Sequence, residues 1–287
     1  MIMKKTLLTL MAVLSCFAAK AQWSNDPAEN NRINPDGETT YSEQVGSTSD
    51  GTTYIVYTRP KDGSIQTVLQ ILDKDGRKLF PDEGQLISNK RTLTFNMVSE
   101  LLFVDKQGNA IIPVADCRNS PADKSYLNYT LYKVSPAGEK LWGDEGIDLG
   151  KGTPSASQCA MTVIQLEDDS YVAAWQNTDV SNKNTVKIER LSLSGEFLWE
   201  QALEVQETGV QMHWPTLTNA GNNLFNLVYY RGNAYEITVK KLDFDGEAVW
   251  AKDTKVYGEG FAPAAPRMEL CTNSTCSSRW NLYCLAR

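Results

Sequence analysis

Leu191-Ser-Leu-Ser-Gly195-Glu-Phe-Leu-Trp199 decides the fold, because the same nine-residue pattern recurs at three other places in the chain. It aligns with Leu72-Asp-Lys-Asp-Gly76-Arg-Lys-Leu-Phe80, with Val134-Ser-Pro-Ala-Gly138-Glu-Lys-Leu-Trp142 and with Leu242-Asp-Phe-Asp-Gly246-Glu-Ala-Val-Trp250. Each copy reads as a hairpin. Glycine enters a positive φ without a Cβ clash, and Asp or Ser ahead of it can bond the turn backbone. The aromatic four residues on, Phe80, Trp142, Trp199 or Trp250, is expected in the outgoing strand, packed between neighbouring sheets. From glycine to glycine the chain advances 62, 57 and then 51 residues, a period suited to one small sheet with its loops.

Upstream of each hairpin lies an apolar run: Tyr54-Ile-Val-Tyr57, Ala110-Ile-Ile-Pro-Val114, Tyr171-Val-Ala-Ala-Trp175 and Leu224-Phe-Asn-Leu-Val-Tyr229. These read as buried inner strands. Between run and hairpin comes an alternating strand, clearest in Tyr235-Glu-Ile-Thr-Val-Lys240, as half-exposed strands require. About four strands per repeat follow, with no long helical periodicity. One such sheet cannot bury both faces, so neighbours must stack, and sheet twist turns the stack about an axis. The expected fold is all-β, a β-propeller-like array of about four four-stranded antiparallel sheets, forming a closed ring or an arc. The repeats are placed at about 22–90, 91–150, 151–207 and 208–260.

Gly76 with the divergent Phe80, Gly138 with Trp142, Gly195 with Trp199 and Gly246 with Trp250 give the stretch from Trp23 to Gly260 a resemblance to secreted propeller-type repeat proteins of Bacteroidetes-like bacteria. That resemblance implies the propeller fold and export, often with a C-terminal sorting or immunoglobulin-like domain. It implies no particular activity.

The chain opens with a positive Met1-Ile-Met-Lys-Lys5 and an apolar Thr6–Ser15 stretch, too short to cross a bilayer and typical of an export signal. Residues 1–21 are taken as signal peptide, cut after Ala19-Lys20-Ala21; a lipobox reading would instead leave a lipidated Cys16. The mature chain is expected to hold no transmembrane segment and to be secreted, periplasmic or surface-bound. Residues 261–287 are taken as an aberrant or capping tail: Phe261 to Leu270 could open a fifth repeat, and from Cys271, with Cys276 and Cys284, the pattern is lost. An irregular cap and a frameshift or premature stop both account for them, the second being preferred. Cys117 and Cys159 read as buried thiols.

Candidate chemistry is thin. A net charge of -7 with no basic face argues against nucleic acid. His213 is the only histidine, which excludes His-Glu-x-x-His, and no Gly-x-Ser-x-Gly elbow supplies a nucleophile. It reads as a loop or packing residue. The acidic pairs Asp82-Glu83, Asp144-Glu145 and Asp168-Asp169 fit solvated turns, since neighbours on a strand point to opposite faces. Asp73-Lys-Asp-Gly76 and Asp243-Phe-Asp-Gly246 lack the rest of a calcium loop, and the terminal cysteines lack zinc spacing. No cofactor and no metal are expected. The preferred function is an extracellular binding or scaffold module for an unidentified ligand, glycan or protein, with a carbohydrate-active enzyme using propeller-face carboxylates as the alternative. Tyr41, Arg59, Arg118, Gln176, Asn177, Tyr230 and Arg231, at or near matching strand ends, are the expected ligand contacts.

Overall fold

The computed structural model describes residues 32–61, 64–92 and 102–257. Residues 1–21, read above as a signal peptide, and the 261–287 tail with its three cysteines lie outside them. All regular structure among the described residues is strand. The first sheet contains β1 (Tyr41–Ser47), β2 (Thr53–Lys61), β3 (Ser64–Leu72) and β4 (Gln85–Ser88). The second contains β5 (Phe103–Val104), β6 (Ala110–Asp116), β7 (Asn128–Val134) and β8 (Ile147–Asp148). β9 (Ser157–Gln165), β10 (Tyr171–Thr178), β11 (Asn184–Leu191) and β12 (Leu203–Val205) form the third. The fourth holds β13 (Met212–Gly221), β14 (Leu224–Arg231), β15 (Glu236–Asp243) and β16 (Thr254–Tyr257). Every sheet is an antiparallel meander in chain order, so no connection crosses another and each repeat can form from local pairings. The fold is therefore all-β and propeller-like.

The apolar runs lie in β2, β6, β10 and β14, which are central rather than first in their sheets because each has a partner on both sides. Period-two alternation then sends successive residues into different cores. Tyr54 and Val56 meet Ile112, Val114 and Tyr132 of the second sheet. From that sheet Ile111, Ala115, Tyr129 and Leu131 meet Met161, Val163, Tyr171 and Trp175. Val172, Ala174, Val186 and Ile188 in turn meet Leu217, Phe225, Leu227 and Tyr229. The sheets thus stack first to fourth, each large buried side chain contributing about 1.5–3 kcal/mol. Cores join consecutive sheets, and among the described residues none joins the fourth to the first, which makes the described part an arc. Its first strands draw together, β9 lying against β13 and β1 against β5.

The hairpins are built by the residue three before the glycine. Asp73 Oδ1 accepts the N–H groups of Asp75 at 2.9 Å and Arg77 at 2.8 Å, and Asp243 does the same for Asp245 and Glu247. Ser135 and Ser192 accept one N–H each, from Glu139 and Glu196. These carboxylate oxygens serve the turn itself. The aromatic is not in the outgoing strand as expected: β4, β8, β12 and β16 begin only at Gln85, Ile147, Leu203 and Thr254. After the turn the chain makes one bridge, such as Leu191↔Phe197, and leaves the ladder. That departure frees the ring to reach the next sheet. A Cβ on Gly138 would stand 2.4 Å from Phe80 Cζ, and one on Gly195 2.9 Å from Trp142 Cδ1. A Cβ on Gly246 would stand 3.3 Å from Trp199 Cζ2 and 2.2 Å from Leu203 Cδ1. Trp142 and Trp199 also donate their indole N–H, each at 3.2 Å, to Leu193 O and Phe244 O, the carbonyls two residues before those glycines. Each turn glycine therefore has two duties: a positive φ, +84°, +92° and +84° in these three, and a surface flat enough to seat the preceding repeat's ring. Trp250, the last ring of the series, is 40% exposed.

Cys117 is buried, and burial pushes its thiol up. Cys159 is half-buried rather than buried, because it falls where the β9–β10 register shifts between Ala174 and Gln176.

Candidate functional site

Second strands end, and first strands begin, on one side of the stack. All seven residues expected to contact ligand lie at that end. Tyr41 opens β1 opposite Thr58, Arg59 pairs with Gln66 near the end of β2, and Arg118 follows β6 by two residues. Gln176 and Asn177 sit opposite Cys159 and Gln158, and Tyr230 and Arg231 opposite His213 and Met212.

Within that end the residues divide. Arg59 is 4% exposed, and its guanidinium donates to Glu83 O at 2.9 Å, to Gln66 Oε1 and to Glu38. Arg118 repeats the device one sheet on: it grips Asp116 with two nitrogens and donates to Glu145 O at 2.7 Å. Both arginines thereby pin the Asp82-Glu83-Gly84 and Asp144-Glu145-Gly146 returns to their sheets. Asn177 Oδ1 accepts from Ser155 Oγ and from Gln158 Nε2. Tyr41 stands 40% exposed.

Tyr230 belongs to a cluster whose other members the sequence did not single out as ligand contacts. Trp214 and Tyr235 are stacked, centroids 5.6 Å apart at 12°. Tyr230 meets both edge-on at 5.8 and 6.2 Å, and His213 lies tilted against both at 5.7 and 5.5 Å. The β14–β15 hairpin brings these residues together, because its register sets Tyr230 opposite Ile237 and, across β13, His213. None of the four is buried, Tyr235 being 36% exposed. Trp214 and Tyr235 have φ of +42° and +52°, left-handed values that strain bulky residues by about 1–3 kcal/mol each. Gln176 Oε1 of the third sheet accepts the Trp214 N–H at 3.3 Å, which helps hold that conformation. Burial pulls the His213 imidazole below its ordinary range, favouring the neutral ring. Asn184 Nδ2 lies 3.4 Å from its Nδ1.

Beside the cluster, the turn between β14 and β15 and the segment before β13 enclose a shallow pocket of about 170 Å³, lined by Val210, Gln211, Arg231, Asn233 and Glu236 among others. Arg231 forms a two-nitrogen pair with Glu207, 2.6 and 3.0 Å, and reaches Glu236 Oε2 at 3.4 Å. Lys255 Nζ bonds the other Glu236 oxygen at 2.6 Å, and that bond holds the Glu236 carboxyl below the usual carboxylate range.

The acidic pairs are dispersed: Asp82 pairs with Lys78, Glu145 with Lys90 and Asp168 with Arg190. No group of three or more His, Cys, Asp or Glu side chains converges among the described residues. The best-buried ion pair, Asp105 with Lys133, lies between the second and third sheets near the hairpin turns, away from the ring cluster.

No protein-family model and no curated protein matches the chain. Solved structures do. An endo-1,5-alpha-L-arabinanase from Thermotoga petrophila is 16% identical, with 85% of this chain and 69% of that chain covered at a TM-score of 0.44. A Hadza microbial sialidase is 14% identical over 77% of this chain and 47% of its own, TM-score 0.48. A polysaccharide lyase, an ulvan lyase, is 10% identical over 78% and 63%, TM-score 0.50. At such identities the likeness is one of fold.

Proposed function

We propose that this chain is an exported carbohydrate-binding module, and that a glycan stacks on the cluster of His213, Trp214, Tyr230 and Tyr235. One observation carries the reading: four rings, two of them in strained backbone, gather half-exposed at one sheet end, with Gln176 and Asn184 bracing Trp214 and His213 from behind. Rings left in water are not explained by core packing, and strained residues collect where ligands are clamped. Sugars present C–H faces that suit aromatic rings and hydroxyls that suit amides. Arg59 and Arg118 serve in this reading as the frame of the surface and Tyr41 as its rim. The ulvan lyase named above is named for a polysaccharide substrate, and its fold resembles this one, so the proposal is compatible with that architecture.

Affinity gel electrophoresis over a panel of polysaccharides tests it. Wild type is expected to be retarded by at least one, and Tyr235→Ala or Trp214→Ala to weaken binding by about 30-fold, the ~2 kcal/mol of a central aromatic anchor. Retardation by none of the panel, or retardation that both variants retain, removes the proposal.

A carbohydrate-active enzyme is the second reading, favoured by Glu207 and Glu236 reaching one guanidinium beside the rings. Hydrolysis needs one carboxyl to hold a proton, whereas Lys255 and Arg231 keep Glu236 ionised. Release of reducing ends by wild type and its loss in Glu207→Gln would establish this second reading over simple binding.

A further inference from the structure

Resting on the glycan-binding reading, we infer that the pocket beside the rings selects neutral sugars against acidic ones, because Glu207 and Glu236 mask the one guanidinium that could receive a carboxylate or sulfate. An arginine with free donors is the usual receptor for such groups, since its planar fork matches two oxygens. Arg231 stands in the pocket wall with that fork already filled. Its Nε and Nη2 go to Glu207 and its Nη1 to Glu236.

Charge and size agree with this. The charged lining residues Arg231 and Glu236 cancel, as do their partners Glu207 and Lys255, so the pocket offers an anion no net attraction, and the chain as a whole carries -7. Glu236 on the wall and Glu207 on the far side of Arg231 set two carboxylates against a third, and the 48% exposure of the Glu207 side chain lets its charge be felt from solvent. A volume of about 170 Å³ is below the ~300 Å³ at which drug-sized sites begin. It suits a single sugar ring, whose hydroxyls can reach Gln211 and Asn233 while the next residue of the chain lies toward Tyr235. Ala234 lines the pocket and Tyr235 follows it in the same turn, which sets the ring next to the pocket along the chain.

The test uses the full mature chain with neutral xylan and glucomannan and with polygalacturonate as the acidic probe, in affinity gels and by calorimetry. Wild type is expected to bind a neutral polysaccharide at least tenfold more tightly than polygalacturonate. Glu207→Gln/Glu236→Gln should gain at least tenfold in affinity for polygalacturonate. That gain should disappear in 0.5 M salt, where the screening length is only about 3–5 Å, and also on adding Arg231→Gln. Thermal midpoints close to that of wild type certify the fold, and the single variant Glu207→Gln serves if the double one does not fold. Wild type that prefers polygalacturonate through Tyr235 overturns the selectivity and leaves the glycan site standing. A double variant without the gain overturns it as well. Wild type that binds no glycan at all removes both readings together.

Discussion

Gly195→Ala is expected to lower stability by about 2–5 kcal/mol, far more than the same change at Gly143. Both glycines have positive φ, +92° and +80°, and both therefore pay about 1–2 kcal/mol for the left-handed conformation once a Cβ is present. Their surroundings differ. A Cβ on Gly143 meets nothing within 4 Å, while one on Gly195 would stand 2.4 Å from Ile147 Cδ1 and 2.9 Å from the Trp142 ring. Neither neighbour can easily retreat, because Trp142 is 9% exposed and its indole N–H is tied to Leu193 O. Overpacking of this kind adds about 1–3 kcal/mol. In thermal denaturation, at roughly 2–4 °C per kcal/mol for domains near this size, the Gly195 variant should melt about 10 °C below wild type. Combining it with Trp142→Ala should cost less than the two single changes summed, since the double variant has no ring to strike. Equal losses at Gly143 and Gly195 would show that the turns need glycine for φ alone and that the ring-on-turn interlock does not hold the sheets together.

The interlock explains why the fold was legible in the sequence. Gly138, Gly195 and Gly246 recur because φ and close approach each forbid a side chain, and the rings recur because each must fill the same gap. Both demands are local or repeat at a fixed spacing, so one line of sequence carries them. The position of the ring relative to its strand was misread, since leaving the ladder after one bridge has no residue signature. The proposed binding surface was legible only as a place. Tyr230 and Gln176 could be put at matching strand ends, but what those ends hold depends on pairing. Trp214 and Tyr235 are 21 residues apart, and only the β13–β14–β15 register stacks them. A hint was present: aromatic residues bracket the β14–β15 turn at Tyr230 and Tyr235, and His213-Trp214 opens the strand opposite. The arginines show the reverse case. Arg59 and Arg118 were singled out for their place at matching strand ends, yet besides their side-chain partners each is tied to a backbone carbonyl, of Glu83 and Glu145, an acceptor that every residue possesses and no pattern marks.

Asp105→Asn should be among the most damaging single changes in the protein, at about 3–5 kcal/mol, although it removes only a charge and keeps the shape. The Lys133 side chain is 4% exposed, its Nζ 3.6 Å from Asp105 Oδ2 and 3.2 Å from Leu193 O. Its ammonium also lies 5.0 Å from the centre of the Tyr171 ring and 5.7 Å from that of Trp142. Tyr171 donates its hydroxyl to Asp105 at 2.7 Å, and Asn109 donates both its N–H, at 2.7 Å, and its side-chain amide. One carboxylate thus ties a strand of the second sheet to one of the third, and breaking a buried pair leaves an uncompensated ion. Burial already pulls the Lys133 ammonium below the ordinary lysine range with Asp105 in place, and the asparagine should pull it further. A lysine depressed in the folded state is favoured there when neutral, so stability rises with pH between the folded value and the unfolded one near 10.4. The gap between Asp105→Asn and wild type should accordingly narrow from pH 7 to pH 9.5 in urea denaturation. Adding Lys133→Met should recover most of the loss at pH 7, because an apolar chain of like length suits the Trp142 and Tyr171 rings and needs no anion. A loss below about 1 kcal/mol for the single variant, or no recovery in the double one, would mean that water reaches Lys133 and that the pair does not couple the two sheets.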